Sequence, residues 1–221
     1  MNLFNKFYQL YYKPKIFFPK KSYSMFGEDL FINNFFKEDK GIYVDVGCYH
    51  PTHGNNTYLL HKRGWKGINI DINKLSINLF KIKRPNDLNL RIAISDKKVN
   101  KIKFYFRRKI NMLNTIDSNF AKKNFPNGYQ TDLIKSDTLN NIIKNSKYKN
   151  KKINLLNIDI EGNEFPALKK FNFKKYKPKI ICIEIHHNKS NLHKNSVYKL
   201  MKKNNYKIIF KKKYSFIFRS V

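Results

Sequence analysis

Short apolar runs alternate along this chain with stretches whose apolar residues recur every three or four positions. The runs at 42–48, 68–71, 153–160 and 180–186 are short and nearly continuous, which predicts strands buried on both faces of a parallel sheet. The stretches between them predict helices. Ser24 to Asp29 leads into one carrying Leu30, Phe31, Phe35 and Phe36, with Glu28 and Asp29 in a first turn where the helix dipole favours acids. A second spans 57–62 and ends at Gly64. A third spans 74–83, capped by Asn73, turned inward through Leu75, Leu79 and Ile82, and closed by Pro85. Further on, Ser136 or Asp137 caps a helix with Leu139, Ile142 and Ile143, and Glu161 to Glu164 turns into one with Phe165 and Leu168. Asn195 opens the last, with Val197, Leu200 and Met201.

Residues 90–94 predict a third strand of the same sheet, followed by Ser95 and Asp96. The alternation of Ile102, Phe104 and Phe106 predicts an antiparallel strand in an excursion from it, with a further short strand at 129–134. The Asn-rich segment 108–128 predicts a loop with a short helix, placed as a lid over a site. Residues 206–210 and 214–218, separated by three lysines, predict a terminal hairpin. The order is that of an α/β domain with a doubly wound, mostly parallel sheet closed by a C-terminal antiparallel hairpin, spanning 24–221 after an extension at 1–23. Residues 147–152 are hydrophilic and too few to separate domains.

The extension is aromatic and basic. Leu3, Phe4, Phe7, Tyr8 and Tyr11 recur at helical spacing beside Lys6 and Lys13, and Phe17, Phe18, Lys20 and Lys21 follow after Pro14. Packing on the domain is one expectation and peripheral contact with an anionic membrane the other. The formal net charge is +31, from 40 Lys and 6 Arg against 15 acids. Such a charge attracts nucleic acid, anionic lipid or acidic polymers. The lysines are dispersed and no arginine-rich patch offers phosphate forks, so nucleic acid is not the expected partner. Abundant Lys, Asn and Ile also fit an AT-rich coding bias. Two cysteines, Cys48 and Cys182, make neither a disulfide framework nor a four-ligand zinc site, and a reducing cytoplasm is the expected compartment. No apolar run approaches the length of a membrane span.

Acids are scarce, yet Asp45, Asp71, Asp159, Glu161 and Glu184 sit in or just after the four buried runs. Ligands of open α/β sheets bind beyond the carboxyl ends of the strands, so these carboxylates describe one shared pocket. Gly47 alone stands where a dinucleotide site would need G-x-G-x-x-G, and no phosphate-cradling G-x-x-x-x-G-K-[ST] exists. Asp71, at the end of the second run, suits ribose hydroxyls. A nucleoside without a pyrophosphate satisfies both observations, and S-adenosylmethionine is the common one.

Tyr43-Val44-Asp45-Val46-Gly47, Asn56-Thr57-Tyr58, Gly64 to Asp71 and above all Asn157-Ile158-Asp159-Ile160-Glu161-Gly162-Asn163-Glu164 resemble the FkbM family of S-adenosylmethionine-dependent methyltransferases. Ser24 to Asp29 resembles the S-Q-x-G-E-D segment of one branch, with Met25 in place of the glutamine. The resemblance spans about 24–220 and implies a Rossmann-like class I sheet and O-methylation of hydroxyls on sugars, glycans or small metabolites. It implies that Asp45 and Gly47 line the methionine end of the cofactor, that Asp71 holds the ribose, and that Ser95 or Asp96 lies near adenine. Cys48, Tyr49, Asn56 and Ile72 complete the implied cofactor contacts, with Asp159 close to the amino group or the transferred methyl. A hydroxyl acceptor must lose a proton, and Asp159, Glu161 and His186 are the candidate bases, with Glu184 orienting. Glu161 has an alternative role in capping the following helix with Glu164. Asp159 and Glu161 project to one face without completing a metal shell, so no metal site is expected.

Overall fold

The computed structural model describes residues 2–13, 21–37, 40–107, 111–186 and 191–221. Its large sheet is built from β1 (Ile42–Val46), β2 (Lys66–Asp71), β3 (Leu88–Arg91), β7 (Leu155–Ile158), β8 (Ile180–Glu184), β9 (Tyr206–Lys212) and β10 (Ser215–Ser220). The spatial order is β3-β2-β1-β7-β8-β10-β9. Strands β3 to β8 pair in parallel, with Val44 opposite both Ile68 and Leu156. Strand β10 runs antiparallel between β8 and β9. The chain leaves β1 toward β2 and β3 and later returns to its other side with β7, so the order reverses between β1 and β7. Such a reversal opens a crevice at the carboxyl ends.

Successive residues of a strand face opposite sides, and that alternation builds two cores. Tyr43, Leu155, Ile180, Cys182 and Ile217 pack with Ile32 and Phe36 of α2 (Glu28–Phe36), Leu60 of α3 (Tyr58–Lys62) and Trp65. Val44, Val46, Leu156, Ile158, Ile181 and Ile183 pack on the other side with α6 (Leu139–Lys144), α7 (Glu164–Leu168) and α9 (Ser196–Lys203). Helix α4 (Lys74–Lys83) follows β2, its Asn73 cap accepting from the amides of Leu75 and Ser76. Its inward face is Ile77, Leu79 and Phe80. Leu75 is only half-buried and Ile82 is exposed, because the helix presents to the core the face one step round from the expected one.

The 90–94 run is divided. Leu90 and Arg91 end β3 in the large sheet, whereas Ala93 and Ile94 form β4 of a second sheet of order β4-β6-β5. That sheet joins β5 (Val99–Phe106) antiparallel to β6 (Gln130–Asp137), and α5 (Ser118–Asn124) lies between them in sequence. Ser136 and Asp137 are strand residues, and the cap of α6 is Thr138, whose hydroxyl accepts from the Asn141 amide. In the hydrophilic 147–152 stretch Tyr148 is buried. Helix α8 (Phe173–Tyr176) has no counterpart in the sequence reading.

Near the N-terminus, α1 (Leu3–Phe7) continues into a wider turn over Tyr8–Tyr12. Leu10 is its buried residue, while Leu3 and Phe4 are almost fully exposed. A contact of 2.9 Å between His50 Nε2 and the Gln9 carbonyl pins it to the domain, as does the Lys83 ammonium donating to Tyr11. Pro14, Phe17, Phe18 and Lys20 lie outside the described residues. Among the described helices none is long and apolar enough to cross a membrane.

Candidate functional site

The loop after β1 is shaped by crowding. Gly47 adopts φ +77°, and a Cβ there would lie 1.7 Å from the Asp159 carbonyl, so the ends of β1 and β7 approach as closely as backbone allows. Its amide and that of Cys48 donate to the Ile70 carbonyl at 2.9 and 3.1 Å, and the Asp159 amide donates to the Val46 carbonyl at 3.0 Å. Three strand ends are thereby tied together around Gly47. Tyr49 and Glu161, one from each loop, are held at φ +53°, a backbone conformation that costs energy in residues with a side chain.

Two cavities open here and share a wall. The first is a narrow crevice that runs along the ends of β1, β2 and β4. Gly47, Tyr49, Asp71, Ile72 and Asn114 line it, with apolar walls from Ile92, Ile94 and Ile116. The second is a wider cleft on the β7 and β8 side, lined by Met25, Phe26, Asn56, Phe120, Asn157, Glu161, Glu184, His186 and Tyr214. Asp159, Tyr49, Asn111 and Met112 line both. The described part of the 108–128 segment thus walls both cavities, in the place expected of a lid.

Asp71 ends β2 with its carboxylate directed by two amides, Tyr49 N at 2.9 Å and Asn73 N at 2.7 Å. These amides take part of its acceptor capacity, and the remainder is available to hydroxyl donors in the crevice. Burial pushes its pKa up to about 6, with these amides opposing. Asp45 occupies a different place. It lies within β1, wholly buried on the face toward α3, and lines neither cavity. Its carboxylate accepts from Thr57 Oγ1 at 2.7 Å, Asn157 Nδ2 at 2.8 Å and Asn55 Nδ2 at 3.2 Å. Asn157 Oδ1 in turn accepts from Asn56 at 2.9 Å. Asp45 therefore orients two residues of the cleft from beneath.

Buried Arg84 completes that hub, donating to Thr57 at 2.8 Å, Asn55 at 2.8 Å, Tyr43 at 3.0 Å and the Pro51 carbonyl at 2.6 Å. Sequence reasoning gave no site role to Arg84, Asn55 or Thr57. An arginine inside a helix-ending K-R-P run carries no mark of burial, although Asn55 and Thr57 flank the quoted Asn56.

Four other expected cofactor contacts fall outside the narrow crevice, and of these Asn56 lines the wide cleft instead. Cys48 is buried with Ile77 and Phe80 beneath α4. Ser95 donates to the Lys97 carbonyl at 2.8 Å. Asp96 turns to the surface, its carboxylate 2.7 Å from Lys169, because the chain has crossed to the second sheet before reaching it.

Opposite the crevice, carboxylates gather. Glu164 closes the turn at the start of α7, accepting from the amides of Ile160 at 3.0 Å and Gly162 at 3.1 Å. Glu164, not Glu161, is the capping acid, and Glu161 is left to face the cleft. Burial, reinforced by Glu184, Glu161 and Glu164, raises the pKa of Asp159 well above the carboxylate range. Glu161 is raised by burial, with His186 opposing. His186 Nε2 lies 3.0 Å from Glu184 and 3.9 Å from Glu161, and the two carboxylates raise its pKa to about 10. The two carboxylates favour its protonated form, which suits it to orienting Glu161 more than to acting as a base. Glu161, Glu184 and His186 bring one ligand atom each within 4.8 Å of one another, as do Asp159, Glu164 and Glu184, a spacing that could also hold a metal ion.

Against known proteins, a family model described as the methyltransferase FkbM domain matches residues 45–208. No curated protein and no solved structure gives a significant match. The matched span begins at Asp45, includes the whole Asp159-Ile160-Glu161-Gly162-Asn163-Glu164 turn, and ends in β9. Covering well over half the chain and the loops after β1, β2 and β7, it shows that this chain belongs to the FkbM methyltransferase domain family.

Proposed function

We propose that this methyltransferase transfers the methyl group of S-adenosylmethionine to a hydroxyl of a sugar, glycan or small metabolite. The observation that carries this reading is the pair of cavities meeting at Asp159, one narrow with a ribose-suited carboxylate and one wide with amides and aromatic rings. The residues fit the cofactor. Asp71 would accept its ribose hydroxyls, Gly47 and Tyr49 would bound its methionine portion, and Ile72 would pack on the base. Asp159 would face its cationic end, and a carboxylate whose proton affinity is raised by like charges gains most from a nearby cation. When bound, the cofactor supplies an electrophilic methyl carbon on a positively charged sulfur.

The protein's own contribution is positioning and proton removal. Attack must be in line and dry, so most of the rate comes from holding the acceptor hydroxyl at the cavity junction. Glu161 is the best placed base. It faces the wide cleft, burial raises its proton affinity, and His186 and Glu184 fix its surroundings. The Glu161 carboxylate would take the hydroxyl proton, and the cofactor, when bound, would supply the methyl group with breakage of its carbon–sulfur bond and leave as a neutral thioether. Asn56, Asn157 and Asn124 supply donors and acceptors for a hydroxyl-rich acceptor, and Phe120 and Tyr214 supply apolar faces.

The test is incubation with methyl-labelled S-adenosylmethionine and a panel of sugars, glycans and phenols. Label in an ether supports the reading, and label confined to amines overturns it. A cytoplasmic protein docked at the inner membrane face is a second reading of its placement, favoured by exposed Leu3 and Phe4 beside Lys6 on α1. Failure of the wild type to sediment with anionic vesicles would rule that placement out, and sedimentation that survives deletion of residues 2–13 would move the contact off α1.

A further inference from the structure

Asn114 is 8% exposed, and neither its Nδ2 nor its Oδ1 has a hydrogen-bond partner. Buried amides are satisfied in the great majority of native structures, so an orphaned one points to a missing partner. Its side chain borders the narrow crevice together with Asp71, Ile72, Ile92 and Ile116. Its position is fixed. The next residue, Thr115, exchanges backbone hydrogen bonds with Tyr105 of β5 at 2.8 and 3.2 Å, and its hydroxyl donates to the Glu161 carbonyl at 2.8 Å. The amide is thus carried on a bridge between the second sheet and the loop after β7.

We infer that Asn114 reads the base of the cofactor, a deepening that rests on the nucleoside reading of the crevice. An amide presents a donor beside an acceptor, which is complementary to adenine's 6-amino group beside a ring nitrogen. Oδ1 accepts from the amino group and Nδ2 donates to the ring nitrogen, while Ile72, Ile92 and Ile116 cover the faces of the ring. Asp71 holds the ribose in the same crevice. Base recognition therefore comes from the β5–α5 connection and not from Ser95 or Asp96 after β4.

Calorimetry with S-adenosylhomocysteine and its analogue lacking the 6-amino group tests this without catalysis. The wild type should prefer the amino compound by about tenfold or more, since a site built around a hydrogen bond penalises its loss. Asn114→Leu should lose that preference and bind the amino compound about tenfold more weakly. Asn114→Asp, which keeps the acceptor, should retain a preference while binding both less tightly, and serves if the leucine variant does not fold. An unchanged affinity and preference in Asn114→Leu, or loss of preference in Asn114→Asp, overturns the inference. Failure of the wild type to bind either compound overturns the nucleoside reading itself.

Discussion

Two aspartates with similar sequence surroundings have opposite duties in this protein. Asp45 and Asp71 both terminate apolar runs, but Asp45 sits one residue inside β1 and meets three side-chain donors, whereas Asp71 ends β2 and opens onto the crevice. Asp71→Ala should weaken S-adenosylhomocysteine binding by at least about tenfold, the scale of a lost hydrogen bond to a charged group, with little change in melting temperature. Asp45→Asn should do the reverse. Its amide would turn donors toward the donors of Asn55 and Asn157, costing about 2 kcal/mol of stability, measurable by denaturant unfolding, with a smaller effect on affinity than Asp71→Ala.

The pKa of Asp71, raised to about 6, adds a pH signature. Only an ionised carboxylate would accept both hydroxyls of a bound ribose, so the proposed role makes affinity rise with pH through about 6, with the inflection lost in Asp71→Asn. Its linkage to folding has the opposite sign, because the folded state holds the proton more tightly, and stability contributed by Asp71 falls between the unfolded pKa and about 6. For His186, raised to about 10, the contribution is present below its ordinary value and is lost as pH rises through about 10. Glu161→Gln should lower kcat by about 10² or more while leaving cofactor affinity near wild type. An unchanged kcat would move the base elsewhere.

At the scale of elements, the parallel strands were legible because burial on both faces leaves a nearly continuous apolar run that depends on no distant partner. The helix caps at Asn73 and Asn195 were legible for the same local reason. The break at Ile92 was not, since which sheet Ala93 and Ile94 join is decided by pairing with Ser136 and Asp137, over forty positions away. The family resemblance placed Ser95 or Asp96 near adenine, whereas the crossing to the second sheet carries Asp96 to a surface pairing with Lys169. Asn114 was equally invisible, one of 30 asparagines, distinguished only by where a bridge to Tyr105 carries it. Gly47 shows how tightly elements meet at the site. Gly47→Ala should cost at least about 3 kcal/mol, from left-handed strain together with overlap against the Asp159 carbonyl, and thermal melting would register it.

For the whole molecule, charge and site stand apart. The net charge of +31 comes from dispersed lysines, while the acids Asp159, Glu161, Glu164 and Glu184 cluster beside the crevice. Self-repulsion among lysines should make stability rise from low salt to about 0.15 M, where screening acts over roughly 8 Å. The family turn and the reversal of strand order between β1 and β7 together account for where a positively charged nucleoside would sit. The most direct test is calorimetric titration of S-adenosylhomocysteine into the wild type and Asp71→Ala. Saturable binding that is weakened in the variant is the predicted result, and no binding, or equal binding by both, would contradict it.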